Sequence, residues 1–417
     1  MGKLHAILLV SVLLQAPAPT ISKYDRGASI TMLKQVKADL KEHYYDTTFR
    51  GMDLDKTFAE AEETLRSAES INQAIAGIVD VLMRLNDSHT MFYPPDRKSR
   101  PVYGWEPAMI GDVPYVIDVT KGSDAEKKGL APGDRLVFWN RYEPSRQNLW
   151  QLRYLYQFVR PQAMQRLVVR KPDGAEKVVD VESKIEQQQA FDIEELFEQI
   201  FSSLAKTDDR ETKAGDTYVW RYSAFGDPKT AERAIKRARA SKSLVLDLRG
   251  NSGGSIEALR NMVSWLFDRD ILVATEKTRK GDKAMPAKGR KDAFTGPLTV
   301  LLDSRSGSAA EMLARVVQIE KRGTVIGDRS AGAVMTARMF PHTIGIDKIA
   351  FYATTITIGD VRMADGGSLE HVGVTPDETL LPTAADLAAR RDPVLARAVS
   401  LLGGTMTAEQ AGQLFKD

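Results

Sequence analysis

The chain has 417 residues, 43% of them hydrophobic and 27% charged, which is ordinary for a globular protein with two or three domains. Lys and Arg number 58 and Asp and Glu 56, so the net charge is +2 and gives no general attraction to nucleic acid or anionic lipid. We therefore expect no nucleic-acid partner. Cysteine is absent, which excludes disulfides, thiolate catalysis and cysteine-based zinc sites.

The N-terminus has the pattern of an export signal. Lys3 precedes an apolar run at 7–14, and small residues and prolines follow at 16–18. This order predicts a signal peptide over 1–18 and a periplasmic or secreted mature protein. The run is too short to anchor the chain in a bilayer, and no later stretch reaches transmembrane length. We therefore expect no stable membrane span.

Residues 24–98 form a predicted helical segment. Apolar residues recur at the helical period from Ile30 to Tyr44, and two more helices are predicted over 54–68 and 70–85, the first of them capped by Asp53. A loop at 86–90 follows, and prolines at 94 and 95 end any regular element. The loop contains His89, one of five histidines in the chain.

Over residues 101–183 the sequence pattern changes to short β-type runs separated by turns. Runs at 115–119 and 166–170 are predicted strands, and between them Gly129 would end a short helix in a left-handed conformation. The sequence Pro-Gly-Asp at 132–134 then makes a tight turn into the next strand. This order indicates a PDZ-like domain, and an unrelated small β domain is the alternative.

Residues 184–417 are predicted to form an α/β catalytic core with a C-terminal tail. An acidic, glutamine-rich connection over 184–212 precedes repeated strand-turn-helix units, which favour a largely parallel sheet. The predicted strands are 243–248, 298–302 and 324–327, and the predicted helices are 256–267 and 309–319.

Two turns in this core have sequences that suggest a catalytic role. The sequence Asp-Leu-Arg-Gly-Asn-Ser-Gly-Gly at 247–254 is a strand-to-helix turn whose backbone amides could hold an anionic oxygen. The sequence Ser-Gly-Ser-Ala-Ala-Glu at 306–311 places Ser308 at a second such junction, where the next helix N-terminus stabilises negative charge. A serine there is either a nucleophile or a helix cap, and Ser304 and Ser306 are candidates for the cap.

Together these strings resemble the family of C-terminal processing (tail-specific) proteases and tricorn proteases. The strings at 323–332 and 373–377 also match, as do the preceding helical segment and PDZ-like module, so the resemblance covers nearly the whole mature chain. It implies an α/β fold with a crotonase-like ββα core, an N-terminal helical segment and a PDZ-like domain. It also implies a serine peptidase that needs no cofactor and no metal.

The resemblance assigns roles to particular residues. Ser308 corresponds to the nucleophile, and the oxyanion hole would use the amide of Ala309 with that of Gly253 or Gly254. Tail-specific proteases place a lysine base directly after the residue equivalent to Gly332, but Ala333 stands there in this chain. A serine–lysine dyad is therefore excluded on this alignment, and the serine needs another base.

The tricorn-like branch uses a histidine instead. Its position, before the PDZ-like domain and preceded by serine, corresponds to His89, with Ser88 as a helper, and its acid corresponds to Glu370. A neutral imidazole also suits a general base near pH 7. Two groups of residues remain as alternatives, the bases His342 and His371 and the acids Asp87 and Glu311.

The sequence thus predicts a serine endopeptidase that cleaves exported polypeptides through an acyl-enzyme and a Ser308–His89–Glu370 triad. PDZ-like domains often receive a C-terminal carboxylate at a sheet edge, which favours cleavage near the C-termini of substrates. We expect a monomer or a homodimer. Two other readings stay open: a non-catalytic binder of peptides or apolar ligands, and an acyl-CoA enzyme, which the signal peptide and the PDZ-like segment disfavour.

Overall fold

The computed structural model describes residues 20–95, 99–187, 209–345 and 349–415. The predicted signal peptide at 1–18 lies outside this part of the chain, as does most of the predicted connection over 184–212. Within the described ranges, no helix has the length and apolar character needed to cross a membrane.

Three helices form the start of the described chain. They are α1 (Lys23–His43), α2 (Leu54–Arg66) and α3 (Ile71–Met83), with a 3₁₀ turn at Phe49–Gly51 and a short strand β1 (Met91–Tyr93) after them. The side chain of Asp53 accepts a hydrogen bond from the amide of Lys56, so the predicted cap of α2 is confirmed. Ser70 caps α3 in the same way, through the amide of Gln73.

The middle of the chain is an antiparallel sheet in the order β3-β4-β5-β6-β7. Its elements in chain order are β2 (Ser99–Val102), β3 (Trp105–Ile110), β4 (Val113–Val119), α4 (Asp124–Lys127), β5 (Arg135–Trp139), α5 (Leu149–Tyr154) with a π-helical turn at Leu155–Val159, β6 (Met164–Arg170), β7 (Glu176–Glu182) and β8 (Lys184–Gln187), which pairs with β2. Both predicted strands are present. Gly129 follows α4 with a φ of 79°, as expected of a glycine that ends a helix.

The remaining elements build two sheets. In chain order they are β9 (Arg210–Ala214), β10 (Thr217–Arg221), α6 (Lys229–Ala238), β11 (Ser243–Asp247), α7 (Ile256–Leu266), β12 (Ile271–Thr278), β13 (Gly281–Ala287), β14 (Leu298–Leu302), α8 (Ala309–Ile319), β15 (Thr324–Gly327), β16 (Met335–Ile344), β17 (Ala350–Met363), β18 (Glu378–Thr379), α9 (Ala384–Ala388), α10 (Pro393–Leu401) and α11 (Ala408–Gln413). One sheet has the order β18-β15-β14-β11-β10-β9, and the other contains β1, β17, β12, β13 and β16.

The first of these sheets is parallel from β10 to β18, with β9 antiparallel at one edge, so the predicted largely parallel sheet is confirmed. Strands β11 and β14 are buried at every position, as expected of central strands covered on both faces. Helices α6, α7 and α8 cover one face, and α10 and α11 cover the other. The carboxyl ends of β11 and β14 therefore open at a common edge of the sheet.

The N-terminal helices are fixed to the second sheet. Strand β1 pairs antiparallel with β17, and Tyr352 and Ile356 of β17 are buried among the helices. Arg279, in the turn between β12 and β13, donates to the carbonyl groups of Lys41, Glu42 and Tyr44 in the last turn of α1. A cation is favourable there because these carbonyl groups lack helical partners.

The middle sheet is attached to the core by a buried ion pair. Arg146 Nη2 lies 2.6 Å from Asp328 Oδ2, which also accepts the amide of Gly111 at 2.9 Å. Arg146 Nε donates to the carbonyl of Gly111 at 2.6 Å. Burial raises the pKa of Asp328, and the charge of Arg146 opposes that shift. The pair lies just beyond the end of β15, close to the turn that carries Ser308.

Replacing Arg146 should destabilise the whole protein. Arg146→Met leaves the carboxylate of Asp328 buried without its cation, and breaking such a pair typically costs about 3–5 kcal/mol. We expect the free energy of unfolding, measured by urea titration at pH 7, to fall by about 3 kcal/mol. Exposed Arg141 provides the control, since Arg141→Met should change it by less than about 0.5 kcal/mol. Equal effects of the two substitutions would contradict this role.

Candidate active site

Ser308 occupies a strained turn between β14 and α8. Its φ is 51° and its ψ is −118°, a conformation that residues with a side chain rarely adopt and that is often found at functional sites. Ser308 itself is the N-cap residue of α8, so the prediction of Ser304 or Ser306 as the cap is wrong. Their hydroxyl groups donate instead to the carbonyl groups of Met109 and Leu248.

A buried carboxylate holds this turn in place. Glu311 Oε2 accepts the amides of Ser308 and Ala333 at 2.9 Å each, and Oε1 accepts the amide of Gly332 and the hydroxyl of Ser330. Burial raises the pKa of Glu311 to about 7, although these four donors lower it. Glu311 thus supports the backbone of Ser308, and its hydrogen bonds within the described part of the chain include none to a histidine.

The glycine turn packs directly against Ser308. A Cβ atom on Gly253 would lie 2.6 Å from Ser308 Cβ and 2.9 Å from the amide nitrogen of Ala309, closer than atoms can approach. The φ of Gly253 is 104° and that of Gly254 is 137°. The structure therefore places Gly253, one of the residues expected at the oxyanion hole, against both Ser308 and Ala309. The amide of Gly253, however, already donates to Asn251 Oδ1 at 2.8 Å.

The loop that carries His89 is organised by Asp87. Asp87 is 2% exposed, and its Oδ1 accepts the amides of His89 and Thr90 at 2.9 and 3.0 Å. Oδ1 also accepts the hydroxyl of Thr357 in β17 at 2.7 Å, and Oδ2 accepts the hydroxyl of Tyr44 at 2.9 Å. Asp87 therefore fixes the backbone of this loop, called the base loop (86–90) below, and does not contact the ring of His89.

Ser88 connects His89 to Glu370. Ser88 Oγ lies 2.8 Å from His89 Nδ1 and donates to Glu370 Oε2 at 2.8 Å, while the amide of Ser88 donates to Glu370 Oε1 at 3.1 Å. Because the hydroxyl hydrogen goes to the carboxylate, the hydroxyl oxygen accepts from His89, which places a hydrogen on Nδ1. The lone pair of Nε2 is then free to accept a proton.

The environment also keeps His89 neutral. Burial lowers the pKa of His89, and the negative charges of Glu370 and Asp87 oppose this effect. A base with a lowered pKa remains unprotonated at pH 7 and can take part in proton transfer.

The dipeptide Ala333-Val334 is hydrogen-bonded to both Ser308 and Glu370. The carbonyl of Ala333 accepts the amide of Ser308 at 2.9 Å, and the amide of Val334 donates to Glu370 Oε2 at 2.9 Å. Ala333 occupies the position where the family resemblance implies a lysine, so its backbone contributes to the site but its side chain supplies no base.

The two other candidate histidines have different surroundings. His342 Nε2 lies 2.7 Å from Asp39 Oδ2, between β16 and α1. His371 Nε2 lies 2.9 Å from the carbonyl oxygen of Asn86 and 3.5 Å from Glu370 Oε1. In each of these two histidines Nε2 is therefore engaged by a residue other than Ser308. Sequence reasoning did not identify Thr357 and Tyr44, because no local pattern marks residues that meet Asp87 only in the fold.

The comparisons with known proteins agree with this architecture. Residues 217–380 match the model of Peptidase family S41. A protein of Streptomyces coelicolor named as a tricorn protease homolog is 30% identical over 177 residues, 40% of this chain and 14% of that relative. The chloroplastic C-terminal processing peptidase of Tetradesmus obliquus is 30% identical over 139 residues, 33% of this chain and 29% of the relative.

A solved structure resembles the chain over a greater length. The structure of mature CPAF complexed with lactacystin superposes with a TM-score of 0.64 at 16% identity, covering 87% of this chain and 95% of that one. A likeness at this identity shows the fold, which is a mixed α/β architecture. The matched regions span less than a third of the two curated relatives, 14% and 29% of their lengths.

The contact between the glycine turn and Ser308 generates a stability prediction. In Gly253→Ala the new methyl group would collide with Ser308 at a backbone conformation that alanine disfavours, so we expect the free energy of unfolding to fall by about 2–4 kcal/mol. Gly226→Ala is the matched control, since a Cβ there meets nothing within 4 Å. Denaturant titration of both variants measures the difference, and two equally stable proteins would refute the close packing.

Proposed function

We propose that this protein is a serine endopeptidase that uses Ser308 as nucleophile, His89 as general base and Glu370 as the orienting acid. The observation that carries this proposal is the hydrogen-bonded series Glu370–Ser88–His89, which leaves one imidazole nitrogen free as a proton acceptor. Ser308, in a strained turn beside paired glycines, supplies the group that such a base activates.

The reaction would proceed in two acyl-transfer steps. His89 Nε2 accepts the proton of Ser308 Oγ as that oxygen attacks the scissile carbonyl carbon, and the tetrahedral intermediate develops a negative oxygen. The amides of Gly254 and Ala309 hold this oxygen at the N-terminus of α8, whose dipole also favours negative charge. His89 then protonates the leaving amine, and water hydrolyses the acyl-enzyme by the same route in reverse.

Ser88 and Glu370 act on the histidine and not on the peptide. Their hydrogen bonds keep the hydrogen of His89 on Nδ1, and the carboxylate stabilises the imidazolium that forms during the reaction. The carboxylate reaches the ring through a hydroxyl group, so Ser88 is a positioning residue in this proposal. This chemistry needs no metal or cofactor.

The substrates we propose are exported polypeptides. The expected signal peptide at 1–18 supports a periplasmic or secreted location, and the Tetradesmus obliquus relative is named as a C-terminal processing peptidase. We propose a division into a helical segment at 24–98, a PDZ-like domain at 101–183 and a catalytic core at 184–417. In this division the PDZ-like domain receives the C-terminal carboxylate of the substrate, and the enzyme acts as a monomer or a homodimer.

The nucleophile can be tested by substitution. Ser308→Ala removes the attacking oxygen, so we expect cleavage of fluorescein-labelled casein by the purified full chain to fall at least about 10⁴-fold. Ser306→Ala is the matched control, because its hydroxyl donates to the carbonyl of Leu248 and takes no part in the proposed reaction. We expect this control to keep most of the activity. Substantial cleavage by Ser308→Ala would disprove the assignment, and a wild-type chain that binds casein without cleaving it would favour a binding function.

The base can be tested by the dependence of kcat/KM on pH. Protonated His89 cannot accept a proton, so activity should be lost as pH falls through its pKa, which burial places below the usual value of about 6.5. Glu370→Gln removes a negative charge that raises this pKa, so the acid limb should move to still lower pH while the plateau rate falls. Glu378→Gln, which alters an ion pair with Arg397, is the control and should leave the limb unchanged. A limb above pH 6.5, or one that Glu370→Gln moves upward, would contradict His89 as the base.

A further inference from the structure

His371 adopts a backbone conformation that a glycine would take more easily. Its φ is 61°, in the left-handed region, where an L side chain is disfavoured. Two residues further on, Gly373 has a φ of 74° in the same turn. The amide of His371 donates to the carbonyl of Gly332 at 2.7 Å, which holds the turn against the core. The imidazole is therefore present at a position where it adds strain, and its contacts offer a reason.

The imidazole connects two loops that are far apart in sequence. His371 Nε2 lies 2.9 Å from the carbonyl oxygen of Asn86, the first residue of the base loop, and 3.5 Å from Glu370 Oε1. A carbonyl oxygen only accepts hydrogen bonds, so Nε2 carries a hydrogen. Arg50 Nη1 also donates to the carbonyl of Asn86. Arg50 Nη1 and His371 Nε2 lie 3.5 Å apart because both donate to this one oxygen.

This contact lies at the point where the base loop begins. Asn86 follows α3 and also has a positive φ, 47°, so the orientation of its peptide group decides where the chain turns. Two residues later, Ser88 binds Glu370 through both its amide and its hydroxyl. The consecutive residues Glu370 and His371 thus bind the base loop at two points, and at the first of them the imidazole of His371 shares the carbonyl of Asn86 with Arg50.

We infer that His371 is a positioning residue for the proposed reaction, which holds the peptide group of Asn86 so that Ser88 and His89 meet Glu370 in the reactive arrangement. This inference rests on the proposed function. It differs from a role as the base, because Nε2 is already a donor to Asn86. It also differs from a purely structural role, because the backbone of the turn is held by hydrogen bonds that any residue at 371 can make.

His371→Gly separates these roles. Glycine tolerates the backbone conformation, so we expect the melting temperature to change by less than about 3 °C. Loss of the contact should lower kcat for casein cleavage about 10-fold with KM within twofold, a loss typical of residues that orient a catalytic group through another. His371→Gln, which can restore an N–H donor, should recover at least half of the rate.

The control relieves the same backbone strain elsewhere. Arg390 has a φ of 53° at the exposed end of α9, so Arg390→Gly should leave kcat, KM and the melting temperature unchanged. Three results would overturn the inference: a kcat for His371→Gly within twofold of wild type, a fall in kcat matched by a lower melting temperature, or a loss as complete as that in Ser308→Ala. The last result would make His371 the base.

A second measurement decides the matter even if the wild-type protein cleaves nothing. Hydrogen exchange of the amides of the base loop in the full chain reports whether His371 restrains it. We expect exchange at His89 and Thr90 to accelerate at least about fivefold in His371→Gly, with no change in α8. Unchanged exchange would overturn the inference, whereas inactivity of the wild type with accelerated exchange would refute only the proposed function.

Discussion

The arrangement of this site depends on the hydrogen bonds that the buried carboxylate of Asp87 accepts. A carboxylate removed from water is stable only when its oxygens are hydrogen-bonded, and its donors here come from three parts of the chain. Tyr44 lies at the end of α1, Thr357 lies in β17, and the amides of His89 and Thr90 belong to the base loop itself. One side chain therefore both shapes the base loop and attaches it to the sheet of the core, next to the pairing of β1 with β17.

Two further carboxylates, those of Glu311 and Glu370, connect the turn of Ser308 to the loop of His89. Glu311 accepts the amide of Ala333, and Glu370 accepts the amide of Val334, so two adjacent peptide groups connect the two halves of the site. Glu311 also accepts the amide of Ser308, and Glu370 reaches His89 through Ser88. The chain has an alanine where the family resemblance implies a lysine. Its base would accordingly come from a loop more than 200 residues away in sequence, His89, held in position by these contacts.

Local patterns predicted the elements that depend on local physics. The buried strands at 298–302 and 324–327 and the helix at 309–319 end where expected, because continuous apolar runs and glycine or serine turns mark both of their ends. The cap of α2 at Asp53 was likewise visible in the sequence. The second sheet was not predicted, since β16 and β13 are edge strands with alternating or mostly exposed residues and carry no clear period.

The resemblance suggested candidate site residues but not the contacts that connect them. The resemblance suggested Ser308, His89, Glu370 and Ser88, and the structure shows that Ser88 is hydrogen-bonded to both His89 and Glu370. The engagement of the Gly253 amide by Asn251, and the donation of the Ser306 hydroxyl to Leu248, could not be foreseen, because both depend on how turns from separate strands pack together. The contact between His371 and Asn86 could not be foreseen for the same reason.

We propose that a serine, a distant histidine and two backbone amides converge on one reacting atom. A crystal structure of the full chain after reaction with a fluorophosphonate tests it most directly. We expect phosphorus bonded to Ser308 Oγ, its oxygen about 2.7–3.1 Å from the amide nitrogens of Gly254 and Ala309, and His89 Nε2 facing Ser308 Oγ. An adduct on another residue, or one in which His89 lies beyond hydrogen-bonding reach even through a water molecule, would contradict it.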